Sequence, residues 1–151
     1  MYTIKKTIKL NDIDFPLIID YNNEDPQEMY FNFSLLFPNT DTDKDTNSKD
    51  ELALVYISIK EGIIIIERLA NNSYYSVDNN ILFKGLGLRL WCFSIKYLLD
   101  KRYIALDDSI MLEPAGNDKL KKYYTDLGFR KALIKESKFV ELSVNEFLLN
   151  C

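Results

Sequence analysis

The stretch "LALVYISIKEGIIIIERLA", Leu52 to Ala70, constrains the fold more than any other part of the chain. Leu52 to Ile59 reads as one strand, Glu61-Gly62 as a tight turn, and Ile63 to Ala70 as the returning strand. The four isoleucines Ile63 to Ile66 make a near-continuous apolar run. Such a run suits a central strand covered on both faces, so a sheet with further layers is expected around this hairpin. The chain has 151 residues, 47% of them hydrophobic, and no internal repeat or shift in composition divides it. One domain over residues 1–151 is expected, large enough for a proper core.

The flanking segments fill in that sheet. "YTIKKTIKL", "DFPLIIDYN" and "EMYFNFSLLF" read as strands; in the last, Met29, Phe31 and Phe33 share one face and Tyr30, Asn32 and Ser34 the other. Pro38 to Glu51 has no apolar residue and reads as an exposed loop, without the glycine that an EF-hand needs at its sixth position. After "ILFKGLGLRLWCFSIKYLLDK", a helix is expected over Arg89 to Lys101, its stripe made by Leu90, Trp91, Ile95, Leu98 and Leu99. A short strand should follow between Tyr103 and Glu113. A second helix starts at the N-cap Asn117, carries Leu120, Tyr123, Tyr124 and Leu127 on one face, and stops at Gly128. The tail suggests two strands around Glu136-Ser137-Lys138. The fold class is therefore α+β: a single mixed, mostly antiparallel sheet with helices on its faces and a strand-rich N-terminal half.

Several chemistries are excluded or disfavoured. The chain has no histidine, which removes Ser-His and Cys-His nucleophile systems and most catalytic zinc sites, and no metal site is expected. A net charge of -4 argues against a nucleic-acid partner, whose phosphates call for clustered Lys and Arg. No apolar run reaches about 18 residues, so no membrane span is expected. The N-terminus is too charged for a signal peptide, and two cysteines, Cys92 within a helix and Cys151 at the end, do not make a disulfide framework. A reducing, cytoplasmic setting follows as an expectation, with Cys92 as core packing.

Lys84-Gly85-Leu86-Gly87-Leu88-Arg89 stands after apolar sequence and opens a helix. Backbone N–H groups at a helix start make an anion site, glycine permits close approach, and Lys84 and Arg89 can add charge. The sequence is neither a Walker loop nor the dinucleotide GxGxxG pattern. A tight turn packed on the sheet is the alternative reading of the two glycines.

About 30 residues on, Asn117 and Tyr124 stand seven apart, close to two helical turns, and Leu127-Gly128-Phe129 closes the segment. The two motifs together resemble the GCN5-related N-acetyltransferase (GNAT) family, with its Q/R-x-x-G-x-G/A turn and its N-x-x-A-x-x-x-Y helix. Lys84 stands for Gln or Arg, Arg89 for the small residue, and Leu120 for Ala; residues 1–50 do not resemble the family's two N-terminal helices. The resemblance covers about Ile63 to Phe129 and implies a GNAT-like fold and acetyl-CoA as co-substrate. It implies that backbone groups near Leu69 and Ala70 pair with the pantetheine arm and that the amides of Gly85, Leu86, Gly87, Leu88 and Arg89 hold the pyrophosphate. It places Asn117 near the pantetheine and Tyr124 beside the thioester sulfur. Tyr124 is thus the candidate general acid for the departing thiolate. Glu67 is the candidate base for the amine.

The implied activity is direct acetyl transfer to a primary amine on a small molecule or protein, with no covalent enzyme intermediate. A non-catalytic acyl-CoA-binding or interaction module of the same fold is the second reading. An exposed edge among the N-terminal strands, or at "KFVELSV", could pair in a homodimer.

Overall fold

The computed structural model describes residues 1–46, 48–71, 85–133 and 137–151. Five strands come first: β1 (Tyr2–Leu10), β2 (Ile13–Asn22), β3 (Glu28–Leu36), β4 (Glu51–Lys60) and β5 (Ile63–Asn71). Then follow helix α1 (Leu86–Asp100), β6 (Ser109–Leu112), helix α2 (Asp118–Leu127), β7 (Arg130–Lys131), β8 (Val140–Ser143) and helix α3 (Val144–Leu148). All eight strands join one sheet in the order β1-β2-β3-β4-β5-β6-β8-β7, and β5–β6 is its parallel pair among the described residues. The strand-rich N-terminal half and the mixed, mostly antiparallel sheet are as expected from the sequence.

Two hairpins are set by two-residue loops in which both residues have positive φ. Asn11 and Asp12 (φ 52° and 63°) join β1 to β2, and Glu61 and Gly62 (φ 52° and 80°) join β4 to β5. That loop geometry matches the right-handed twist of the paired strands. Register then follows from alternation: Phe31 pairs with Ile57, Phe33 with Val55 and Ile57 with Ile66, which puts one apolar set on one face. Helix α1 covers that face with Leu86, Leu90, Trp91, Ile95 and Leu98, and Tyr97 meets Phe33 edge-on at 5.7 Å between ring centres. The opposite face carries Tyr30, Asn32, Tyr56 and Arg68, none of them buried. The isoleucine run is accordingly not covered on both faces: Ile64 and Ile66 are buried, Ile65 is half-buried and Ile63 is exposed.

The other departures have local causes. Helix α1 begins at Leu86 rather than Arg89, because Gly85 in the left-handed region (φ 76°) ends the preceding backbone and lets the helix start at once. The tail holds a helix after β8, N-capped by Ser143, whose Oγ accepts from the Glu146 amide and donates to Glu146 Oε1, both at 3.1 Å. Of the expected turn at Glu136-Ser137-Lys138, Glu136 lies outside the described residues. The segment "KFVELSV" is not a sheet edge, since β8 pairs with both β6 and β7; β1 and β7 are the edges. Cys92 and Cys151 are joined in a disulfide that closes a loop of 59 residues, so the expectation of two unpaired cysteines is corrected. Spacing alone gives no reason to pair a mid-helix cysteine with a terminal one; α3 carries the terminus back onto α1.

Candidate active-site cleft

The cleft arises where two strands part. Strand β5 pairs with β6 only at Ile64–Ile110 and Ile65–Met111, although β5 runs on to Asn71. Among the described residues, the backbone from Ile66 to Asn71 therefore has no strand partner on that side. The β4–β5 register also shifts, from Tyr56–Arg68 to Ile57–Ile66, leaving Glu67 as a bulged extra residue. Bulges of this kind bend a strand and re-aim a side chain. Glu67 is exposed and accepts a hydrogen bond of 2.6 Å from the buried Ser58 hydroxyl.

The gap holds a cavity of about 490 Å³ lined by the end of β5 (Leu69, Ala70, Asn71), the start of α1 (Gly85, Gly87, Leu88, Trp91), one face of α2 (Leu120, Tyr123, Tyr124) and Leu54. Among the described residues, no charged side chain lines it. The expected residues Leu69, Ala70, Gly85, Gly87, Leu88 and Tyr124 thus meet in one place. Leu86 is buried in the core beneath them. Arg89 lines a second cavity of about 480 Å³ on the far side of Gly85, together with Leu10, Lys96 and the Cys92–Cys151 disulfide. Glu67 and Asn117 stand outside both linings. Lys84 lies outside the described residues.

The two glycines serve different ends. Gly85 supplies the left-handed N-cap, and a Cβ there would meet nothing within 4 Å. Gly87 lies in the helix's first turn, where its missing Cβ leaves room for the Asn71 side chain, whose Nδ2 would be 2.5 Å away. The space at Gly85 is open, that at Gly87 is taken by Asn71, and the N–H groups and dipole at the head of α1 favour an anion.

Helix α2 is held at its ends. Asn117 Oδ1 accepts from the Lys119 amide at 2.8 Å, so half of this side chain serves as an N-cap. Gly128 (φ 108°) closes the C-terminus, with Gly128 N–H bonded to Thr125 O and Phe129 N–H to Tyr124 O. None of its residues is fully buried, so its apolar side borders the cleft rather than the core. Tyr124 packs edge-on against Trp91 and Phe129, with ring centres 6.3 and 6.1 Å away. Burial, helped by the neighbouring Tyr123, raises the Tyr124 phenol above its ordinary value. It therefore keeps its proton at neutral pH and can donate it. Tyr123 also lines the cleft, and burial raises it too.

The sequence reading missed Asn71 and assigned Trp91, Leu120 and Tyr123 to packing. Trp91 is packed, being 1% exposed, yet its Nε1–H has no hydrogen-bond partner among the described residues. An unpaired buried donor of this kind costs about 1–3 kcal/mol. A lone tryptophan in a helix stripe gives no sequence signal of that.

No family model matches the chain, and no curated protein matches it. Among solved structures, the crystal structure of the KacTA–DNA complex holds a chain similar to this one. Its TM-score is 0.51 at 17% identity, over 80% of this chain and 72% of that chain. The crystal structure of AtaTR bound with AcCoA is also similar, with a TM-score of 0.41 at 14% identity over 90% and 74% of the two chains. The likeness to the first of these supports the α+β fold class, with one mixed, mostly antiparallel sheet. The expectation of no nucleic-acid partner is withdrawn, because a chain of similar fold occurs in a DNA complex. That expectation rested on net charge, which sums over the whole chain and says nothing of where charges sit; Lys119, Lys121 and Lys122, for example, stand exposed together on α2. Among the described residues, no helix is long and apolar enough to cross a membrane.

Proposed function

We propose that the protein is an acetyl-CoA-dependent N-acetyltransferase that moves an acetyl group directly to a primary amine. One observation carries this reading: a single cleft runs from the open head of α1, at Gly85 and Gly87, along the free edge of β5 to the Tyr124 phenol. The residues fit the thioester co-substrate. The head of α1, with the backbone amides of Gly85, Leu86, Gly87, Leu88 and Arg89, suits the pyrophosphate. The unpaired backbone at Leu69 and Ala70 suits the amides of an extended arm, added like a strand. The resemblance also gives Asn117 a role near this arm, although its side chain stands outside the cleft lining and its Oδ1 caps α2.

The chemistry then needs two proton movements. The amine nitrogen attacks the thioester carbonyl carbon, the carbon–sulfur bond breaks, and the acetyl group ends on nitrogen. Tyr124 donates its proton to the departing thiolate and is reprotonated from solvent. Glu67, re-aimed by the bulge in β5 and held by Ser58, receives the amine proton directly or through water. Its place outside the cleft lining suits a base that meets the acceptor from the far side of the strand.

Steady-state transfer from acetyl-CoA to a panel of primary amines tests the reading. Turnover on one member that Tyr124→Phe slows at saturating substrate supports it; a folded protein that binds the thioester but acetylates none overturns it. That second outcome is what a non-catalytic acyl-CoA-binding module would give. Among the described residues the cleft lining holds no charged group, which favours this second reading. The likeness to a chain of a DNA complex adds duplex DNA and a protein partner to the assemblies worth testing.

A further inference from the structure

We infer that the second cavity is a thiol–disulfide exchange site for a small anionic thiol, with the Cys92–Cys151 bridge as the group it reacts with. This cavity, of about 480 Å³, lies on the far side of Gly85 from the cleft, and both cysteines of the bridge line it. Arg89 and Lys96 line it too, and both are exposed. They stand three residues before and four residues after Cys92 on α1, so all three share one face and the two cations flank the cysteine along the helix. Cys92 is 8% exposed, whereas Cys151 is exposed, so an incoming thiolate meets the Cys151 sulfur first. The site is separate from the cleft and works whether or not the cleft holds acyl-CoA.

A disulfide yields to a thiolate, faster when the thiolate it expels is stabilised. The sulfur of the small thiolate bonds to Cys151 Sγ, the Sγ–Sγ bond breaks, and its electron pair leaves on Cys92 Sγ. Arg89 and Lys96 favour this step twice. They draw the anionic reagent into the cavity, and they stabilise the Cys92 thiolate. A second thiol then attacks the mixed disulfide at the small molecule's sulfur. Two small thiols are thereby oxidised to one disulfide as the bridge is reduced, and their two protons pass to the Cys92 and Cys151 sulfurs. Other contacts hold this segment when the bond opens. Asn150 Nδ2 donates to Leu127 O at 2.8 Å, and Phe147 packs on Trp91 of α1 with 4.6 Å between ring centres. The two sulfurs therefore stay near each other and the bond can re-form.

Three thiols of similar size and different charge serve as probes: mercaptopropionate is anionic, mercaptoethanol neutral and cysteamine cationic. Opening of the bridge in the oxidised full chain is timed by alkylating the freed thiols and measuring the mass, at equal thiolate concentration. The ratio of anionic to neutral rate is compared between the wild type, Arg89→Gln, Lys96→Gln and the double variant, so that intrinsic thiol reactivity cancels. The wild-type ratio should exceed that of each single variant about threefold and that of the double variant about tenfold. Raising the salt to about 1 M should bring the wild-type ratio down towards the double variant's. The ratio of cationic to neutral rate should move the opposite way. Equal anionic-to-neutral ratios in the wild type and the double variant overturn the inference. So does a wild-type ratio that salt leaves unchanged, and so do two free thiols in the oxidised protein. Should a variant fail to fold, the salt dependence of the wild type still decides.

Discussion

The side-chain amide of Asn71, at the end of β5, fills the space that a Cβ on Gly87 would occupy. Its Nδ2, Oδ1 and Cγ would lie 2.5, 2.8 and 2.9 Å from that atom. The last residue of the free strand and the first turn of α1 are therefore fitted to each other across the mouth of the cleft. Alanine normally gains about 0.5–1 kcal/mol over glycine within a helix. Gly87→Ala should lose that gain, because Asn71 must rotate away. With Asn71→Ala in place, the same change should stabilise by the full amount. A double-mutant cycle of urea midpoints measures the coupling, and additive values would show that the two residues do not compete.

Gly85→Ala behaves differently. Space is free there, and the cost lies in the left-handed backbone, roughly 1–2 kcal/mol for a side chain with a Cβ. Removing Asn71 should not relieve it. Thermal unfolding of the single and double variants separates strain from crowding.

How much of this was legible in the sequence follows from the range of each signal. The β4–β5 hairpin and the caps of α2 were readable because their determinants, Glu61-Gly62, Asn117 and Gly128, act within a few residues. The cleft's far walls were readable only through two motifs about 30 residues apart, which bring Gly87 and Tyr124 to one place. The Asn71–Gly87 fit, the Glu67 bulge and the Cys92–Cys151 pair were not readable, since each depends on where separate elements pack. Ser143 and Glu146 carried a legible N-cap signature, and the strand-like alternation of Val140 to Val144 masked it.

The Cys92–Cys151 bridge ties the chain's end to the second turn of α1. In the chain-entropy account, closing a 59-residue loop contributes about 4 kcal/mol, reduced by whatever native-state strain accompanies it. Cys151→Ser should lower Tm by several degrees, and reductant should lower the wild type but not the variant. Equal melting with and without reductant would show that the bridge is not formed in solution.

The tyrosines set an alkaline limit. Burial raises Tyr97, Tyr123 and Tyr124, and the Glu28 carboxylate that accepts from the Tyr30 hydroxyl pushes that phenol up to about 12. A raised phenol favours the protonated folded state. Its contribution is whole below the unfolded value near 10 and is lost as pH rises through the folded value. Stability should be level up to about pH 10 and then fall towards about pH 12. Tyrosinate absorbance, followed with unfolding midpoints, should show ionisation in the folded state lagging behind a denatured reference.

Tyr124→Phe should keep the fold, because the ring makes the aromatic contacts with Trp91 and Phe129. Loss of a positioned general acid should lower kcat about 10²-fold or more, with KM for acetyl-CoA little changed. Glu67→Gln should lower kcat as well and leave acetyl-CoA affinity intact, since Glu67 stands outside the cleft. A Glu67→Gln enzyme with unchanged kcat would remove that residue from the base role.

The most direct test of the central claim is calorimetric titration of acetyl-CoA into the wild type and into Gly87→Glu. The account predicts micromolar binding to the wild type and none to the variant, whose added carboxylate would meet the pyrophosphate at the head of α1. No binding to well-folded wild type would mean that the two glycines serve only the turn and its packing on Asn71, and the acetyltransferase reading would fall.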